Sequence, residues 1–306
     1  MQFREIASGL RFPEGPIAMP DGSVILVEIE RRTLSRVSPD GRVSVIAETG
    51  GGPNGAAMGP DGKCYICNNG GFDFVEERGM LRPHLQASDY SGGRIERVDI
   101  ETGAVEVLYT ECGGNPLKGP NDLVFDSQGG FYFTDLGKVR PREQDRGAVY
   151  YAKADGSAIT EVVFPAVTPN GVGLSPDEKT LYVAETEPGR LWAWPIKRPG
   201  ELEKELWPSV NGGRLVTGVP GYKRFDSLAV DSAGNICVGT LMEGGITVVA
   251  PDGSKVEHIP TDDPYATNIC FGGPDLRTAF ITLSTGGRLV AAEWPRPGLP
   301  LNYLNM

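Results

Sequence analysis

Residues 169–186 read PNGVGLSPDEKTLYVAET: a side-chain amide, a short apolar run, an SPDEK turn and a second apolar run. Five other segments repeat this plan. They are PEGPIAMPDGSVILVEI (13–29), PNGAAMGPDGKCYICNN (53–69), PNDLVFDSQGGFYFTDL (120–136), FDSLAVDSAGNICVGTL (225–241) and TNICFGGPDLRTAFITL (267–283). Their register agrees within about one residue, so Glu14, Asn54, Asn121, Asn170, Asp226 and Asn268 occupy one repeat position. Successive positions are separated by 40, 67, 49, 56 and 42 residues, the period of a blade-sized repeat.

The apolar runs are short, rich in Val, Ile, Leu, Phe and Tyr, and bounded by turns such as PDG, DSQGG, SPDEK and DSAGN, which is strand and hairpin chemistry. Between the six segments lie further strand pairs: RTLSRVSPDGRVSVIAE, GRIERVDIETGAVEVLY, GAVYYAKADGSAITEVV, RLWAWPIKRPGELEKEL and GGITVVAPDGSKVEHIP. Each unit thus offers about four strands, the content of one propeller blade. The expected fold is all-β, a six-bladed β-propeller with a central metal site, formed by residues 1–306 as one domain. The segment QFREIASGL near the start reads as the strand that completes the last blade and leaves no open edge.

The 42 glycines and 25 prolines of this 306-residue chain suit short strands and tight turns, and 40% hydrophobic residues supply a core. A net charge of −11 argues against nucleic acid or an anionic membrane as partner. No apolar run approaches the ~20 residues of a membrane helix, and MQFREIASGLRF lacks the features of a signal peptide. Five cysteines in such a context imply reduced thiols, and the expected location is the cytoplasm. Cys64 and Cys67 form a CxxC, but they lie in the extended segment KCYICNN, where positions three apart face opposite sides of a sheet. They are read as strand residues. Oligomeric state is not legible.

In a propeller the first strand of each blade lines the central channel, so one repeat position comes together at one height on the axis. Glu14, Asn121, Asn170 and Asp226 then offer two carboxylates and two amide oxygens, a set suited to a hard divalent cation. Two carboxylates in a narrow channel repel one another unless a dication balances them. Asn54 and Asn268 face the same axis as substrate contacts or filling. Ca2+ is the expected cofactor, with Mg2+, Mn2+, Zn2+ or Fe2+ as alternatives.

FPEGP, GPNDLVFD, TPNGVGLSPD, GGITVVAPDG and TNICFGGPDLRTAFITLSTGGRLVAAEWPRPGLPLN occur in this order along the chain. With these segments the sequence resembles the SMP-30/gluconolactonase/luciferin-regenerating-enzyme family over essentially its full length. The resemblance implies a six-bladed propeller with one catalytic divalent metal that hydrolyses a sugar lactone or related ester. It places the metal ligands on Glu14, Asn170 and Asp226, with Asn121 as fourth ligand or substrate contact. In the animal members an arginine stands two residues before that asparagine; here the position is Gly119, preceded by Lys118.

The function expected from the sequence is therefore metal-dependent opening of a lactone, with Asp226 either general base or ligand only. Asn121, Asn54, Lys118, Lys223 and Arg224 are the candidate substrate contacts. Alternatives are a phosphotriesterase or aryl-lactone esterase on the same scaffold, and a non-catalytic ligand-binding propeller. No serine stands in a GxSxG elbow, which disfavours a serine esterase. Residues 71–91 and 201–224 are read as insertions, the first as a lid over the central site or a solvated loop.

Overall fold

A computed structural model describes residues 1–305, and among them every regular element is a β-strand. Each oxygen-led segment begins a group of antiparallel strands paired in chain order. The first group is Pro13–Ala18, Val24–Glu28, Thr33–Val37 and Val43–Glu48, and the second is Pro53–Met58, Cys64–Asn68, Arg94–Val98 and Val105–Tyr109. The third is Pro120–Phe125, Gly130–Asp135, Gly147–Lys153 and Ile159–Ala166. The fourth combines Pro169–Leu174, Thr180–Glu185 and Arg190–Arg198 with Arg214–Gly218 outermost and the two-residue Glu201–Leu202 beside it.

The last two groups form an eight-stranded sheet. One half is Arg224–Val230, Ile236–Leu241, Gly245–Val249 and Val256–Pro260; the other is Tyr265–Gly272, Thr278–Leu283, Arg288–Glu293 and the N-terminal strand Arg4–Ala7. The ladder between the halves consists of Thr240 paired with Ala266 and Leu241 with Tyr265. Arg4 and Glu5 pair with Ala291 and Val290, so the first strand of the chain completes the last group.

The first strands of consecutive groups pack side by side, and Tyr265–Gly272 packs against Pro13–Ala18. Apolar layers lie between groups in the same cyclic order. Ile25, Val27 and Leu34 of the first group meet Cys64, Ile66 and Val98 of the second. Tyr65 and Cys67 meet Phe125, Phe131 and Phe133 of the third. The same happens at Tyr132 and Tyr151 against Trp192 and Trp194, at Tyr182 and Leu191 against Phe225 and Val238, and at Cys237 and Val248 against Ile281 and Trp294. Leu289 of the last group packs on Val24 and Leu26 of the first, which closes the circuit. Every fully buried Leu, Ile, Val or Phe in these layers contributes about 1.5–3 kcal/mol. Cys64 and Cys67 point into opposite layers, as strand residues three apart must, and all five cysteines are free thiols.

Hydroxyls stitch the inner joints. Thr134 Oγ1 donates to the carbonyl of Asn170 (2.5 Å), and Ser284 Oγ donates to that of Pro13 (2.6 Å). Glycine allows the first strands to approach closely. A Cβ on Gly171 would lie 2.6 Å from Leu228 N and 2.7 Å from Asp226 O, and one on Gly55 would lie 2.5 Å from Asn121 O. Gly171→Ala is accordingly expected to force adjacent first strands apart and destabilise the protein by about 1–3 kcal/mol, a shift readable by chemical denaturation.

Two features depart from the strand pairs expected from sequence. RLWAWPIKRPGELEKEL does not supply a full hairpin, because the acidic ELEKEL pairs over only two residues; the outer strand comes from Arg214–Gly218, inside the stretch read as an insertion. Residues 71–91 form a hairpin, Phe72–Glu77 with Met80–Gln86. Leu81 N donates to Thr285 O (3.0 Å), and Phe74 packs edge to face on Phe12 at 5.5 Å, so the hairpin reaches from the second group to the sixth and first. At the far end of the first strands the C-terminal tail crosses, with Leu299 N donating to Val230 O and Tyr303 packed on Phe125.

Candidate axial site

All six repeat-position oxygens stand at the start of first strands, and all six strands lose regular pairing there. The register breaks between Glu14 and Ile17, Pro53 and Ala56, Pro120 and Leu123, Pro169 and Val172, Phe225 and Leu228, and Ala266 and Asn268. A bulge turns side chains out of the sheet alternation and frees them from the inter-sheet layers. The repeated break accounts for polar residues in strands whose other members are apolar.

The six are buried: Glu14, Asn54, Asn121, Asn170, Asp226 and Asn268. Asn170 Nδ2 donates to Asp226 Oδ1 (2.5 Å) and to Thr186 Oγ1 (3.0 Å), and Asn170 Oδ1 accepts from Ser227 Oγ (3.3 Å). Asn268 Nδ2 donates to Glu14 Oε2 (2.8 Å), and Gly15 N donates to the same oxygen (2.8 Å). Two amide nitrogens thus face the two carboxylates. Asn121 Oδ1 is buried without any partner. A buried, unpartnered carbonyl oxygen costs about 1–3 kcal/mol unless a cation or donor occupies the space before it.

A third carboxyl, Asp122, joins the set; the repeat register does not mark it. Its Oδ1 accepts from Leu123 N (2.9 Å). Burial raises the proton affinity of all three acids: Asp122 is pushed up to about 8, with Glu14 adding to the shift, Asp226 is held well above the ordinary carboxylate range, and Glu14 is raised too. Glu14 and Asp122 each add to the shift on Asp226, so the acids feel one another as well as the loss of water. The sequence signal for Asp122 was faint. The position after the axial donor is Gly15, Gly55 and Gly171 in three segments, and PND differs from PNG by this one residue.

Among the described residues no ready-made cluster of three His, Cys, Asp or Glu side chains has metal-holding geometry. The chemistry of the donors nevertheless fits a hard divalent cation: acidic groups that disfavour each other's ionisation, amide oxygens, and one orphan carbonyl. To present oxygen toward the axis, the amides of Asn170 and Asn268 would turn over, an exchange of O and N that preserves shape.

The remaining candidates separate clearly. Arg224, half-buried, begins the strand that carries Asp226 and stands over the Tyr222 ring at 5.8 Å. Lys223 is paired with Glu243. Lys118 is exposed; its backbone N–H donates to Asp135 Oδ2 (2.7 Å), and Tyr90 Oη donates to its carbonyl (2.7 Å). Asn54 lies buried in its bulge. At Gly119 a Cβ would sit 2.4 Å from Gly137 O, so the backbone here leaves no room for the side chain of an arginine.

Lys138 escaped sequence reading, since nothing in its spacing marks it. It is buried and donates to Gly71 O (2.8 Å) and Asn69 Oδ1 (3.1 Å), with its ammonium 3.7 Å from the Phe72 ring centroid. Burial lowers its pKa to about 7, against the pull of Asp135 and Asp145. It fastens the root of the 71–91 hairpin.

Glu14, Asp122 and Asp226 bind protons more tightly folded than unfolded, so their contribution to metal-free stability is complete below the unfolded carboxylate range. It is lost as pH rises through the folded values, up to about 8 for Asp122. A cation displaces those protons, so Ca2+ affinity is expected to rise about tenfold or more between pH 6 and pH 8. Calorimetric titration at the two pH values, with thermal unfolding of the metal-free protein alongside, measures both trends.

Fold and site together define an all-β, propeller-like protein with an acidic, oxygen-lined site at the convergence of its first strands. The chain belongs to the SMP-30/gluconolactonase/LRE-like family, whose model matches residues 12–285. It is 30% identical over 240 residues to lactonase drp35 of Staphylococcus saprophyticus, covering 78% of this chain and 66% of that protein, just under two thirds of its length. It is 26% identical over 303 residues to a gluconolactonase of Zymomonas mobilis, covering 91% of this chain and 78% of the relative. A solved gluconolactonase from Xanthomonas campestris superposes with a TM-score of 0.73 at 25% identity, over 96% of this chain and 89% of that one. Each of these relatives is itself named a lactonase or gluconolactonase.

Proposed function

We propose that this protein is a metal-dependent lactonase built as a six-bladed propeller, acting on a sugar lactone or a related lactone at the axial site. The observation that carries the reading is the buried set of Glu14, Asp122, Asp226 and the unpartnered Asn121 oxygen, in a chain whose relatives are lactonases. Glu14, Asn170 and Asp226 would hold one divalent cation, Ca2+ first among the candidates, with Asn121 as fourth ligand or substrate contact. When bound, that cation would balance the carboxylates and polarise the lactone carbonyl as a Lewis acid.

The chain's own groups supply the rest. Ring opening requires water to add to the carbonyl carbon, a proton to leave that water, and the ring oxygen to depart as an alcohol carrying a proton. Asp226 takes the water's proton and returns it to the leaving oxygen, its carboxylate placed by the bulge of its own strand. Without a cation its proton affinity is raised by burial and by its acidic neighbours; a bound cation would lower it and keep Asp226 in the deprotonated form that a base needs. The hairpin of residues 72–86 lines a cavity together with Arg224, at the start of the strand that carries Asp226.

The reading is tested by a panel of sugar γ- and δ-lactones, dihydrocoumarin and a phosphotriester, assayed with added divalent metals. Turnover of the sugar lactones is the expected result. Hydrolysis of the phosphotriester alone would reassign the reaction, and binding of lactones without turnover would make the protein a ligand-binding module.

A further inference from the structure

A cavity of about 610 Å3 opens between the 72–86 hairpin and the fifth and sixth strand groups. Its lining includes Arg78, Arg82 and His84 from the hairpin, Arg224 from the strand that carries Asp226, and one carboxylate, Glu77. Glu77 approaches Arg82 at 3.8 Å, whereas Arg224 has no carboxylate partner among the described residues and rests only on Tyr222. In a chain of net charge −11, three arginines against one acid make this wall a local reversal of sign. A cationic cleft with low-dielectric walls concentrates anions from a distance.

Two strands that carry axial groups also wall this cavity. Tyr265, which lines it, begins the first strand of the sixth group, whose Asn268 donates to Glu14, and Arg224, which also lines it, begins the strand that carries Asp226. Both strands run from the cavity to the axial site, Arg224 to Asp226 on one and Tyr265 to Asn268 on the other. Arg224 stands two residues before Asp226, so a group it binds is held at a fixed distance from the reacting carbonyl.

We infer that the substrate is an anionic lactone, its ring at the axial acids and a second, ionised acidic group held by Arg224 and Arg82 in the cavity beneath the hairpin. The inference rests on the lactonase reading for the reaction and on the cavity for the charge. The shared chemistry is an oxyanion, carboxylate or phosphate, and both guanidiniums suit either by paired N–H donors. Arg224 and Arg82 are specificity-determining residues in this account. The hairpin is a functional wall of this cavity, because it brings Arg82 and His84 to its lining.

The test uses matched five-membered lactones on the full chain with Ca2+: 5-oxotetrahydrofuran-2-carboxylate, its neutral hydroxymethyl counterpart, and the phosphate ester of the latter. The expected result is a kcat/KM at least about tenfold higher for an anionic member than for the neutral one, falling with added salt. Arg224→Met and Arg82→Met are each expected to reduce that anionic-to-neutral ratio about tenfold, chiefly through KM. The carboxylate and phosphate arms show which oxyanion is preferred. Equal use of neutral and anionic lactones, or a ratio unmoved by Arg224→Met, overturns the inference. Binding of the non-hydrolysable tetrahydrofuran-2-carboxylate, compared with tetrahydrofurfuryl alcohol by calorimetry, separates it from the lactonase reading. Preferential binding of the carboxylate, lost in Arg224→Met, supports the anion site even where no lactone turns over. Absence of preference there overturns it.

Discussion

Asp226→Ala is expected to lower kcat/KM for lactone opening by about 10³-fold or more, the range over which a positioned acid–base group contributes. The physical grounds are local. Asp226 sits at the bulge of the strand Arg224–Val230, is buried, accepts from Asn170 Nδ2, and has a proton affinity raised by burial, Glu14 and Asp122. Removing it deletes both a proposed cation ligand and the proposed proton acceptor, so alanine alone does not separate the roles. Asp226→Asn does, when metal content is measured with turnover. Lost kcat with the cation retained and KM little changed assigns the base; loss of the cation assigns Asp226 as ligand first. Activity near wild type in Asp226→Ala would remove this residue from the chemistry.

Stripping the protein with EDTA is expected to bring lactone hydrolysis to background and to lower thermal stability, with both restored by Ca2+. An ion bound only by the folded chain stabilises it by about 4 kcal/mol at a thousand times its dissociation constant. The effect is sharpened here because the metal-free site leaves three buried acids to hold protons or repel one another, and leaves Asn121 Oδ1 without a partner. The stability difference should grow from pH 6 to pH 8, as the metal-free acids lose their protons and the cation-bound site does not depend on them. Full activity after verified removal of metal would leave the acids as proton carriers alone. A thermal midpoint indifferent to Ca2+ would show that no cation is linked to folding at this site.

What the sequence disclosed and what it hid follow from the range of the interactions. The repeat is local: turn chemistry and apolar runs recur in each unit, so the strand order, the last-group role of Arg4–Ala7 and the shared position of Glu14, Asn121, Asn170 and Asp226 were legible. The bulge that aims these side chains was not, because it is a property of pairing between two strands. Asp122 was hidden for the same reason: beside Asn121 it reads as an ordinary turn residue, and only the approach of neighbouring first strands makes it part of the site. The outer strand Arg214–Gly218 was misplaced because the charged ELEKEL happens to follow a good strand at a hairpin's distance. Among the cations, Arg224 and Lys223 are adjacent and looked equivalent, but Glu243 takes Lys223 while Arg224 faces the cavity. Lys138 shows the converse limit: a buried lysine that anchors a hairpin is recognisable only from Gly71, Asn69 and Phe72 around it.

The central claim is that six bulged first strands gather acidic and amide oxygens around one divalent cation. Anomalous diffraction from crystals equilibrated with Mn2+ at pH 8 tests it most directly. The account expects a single strong peak on the axis, within coordination distance of Glu14, Asn170 and Asp226, with the amide of Asn170 turned to present oxygen. Crystals with no peak at those residues, or with Mn2+ bound only elsewhere on the chain, would contradict it.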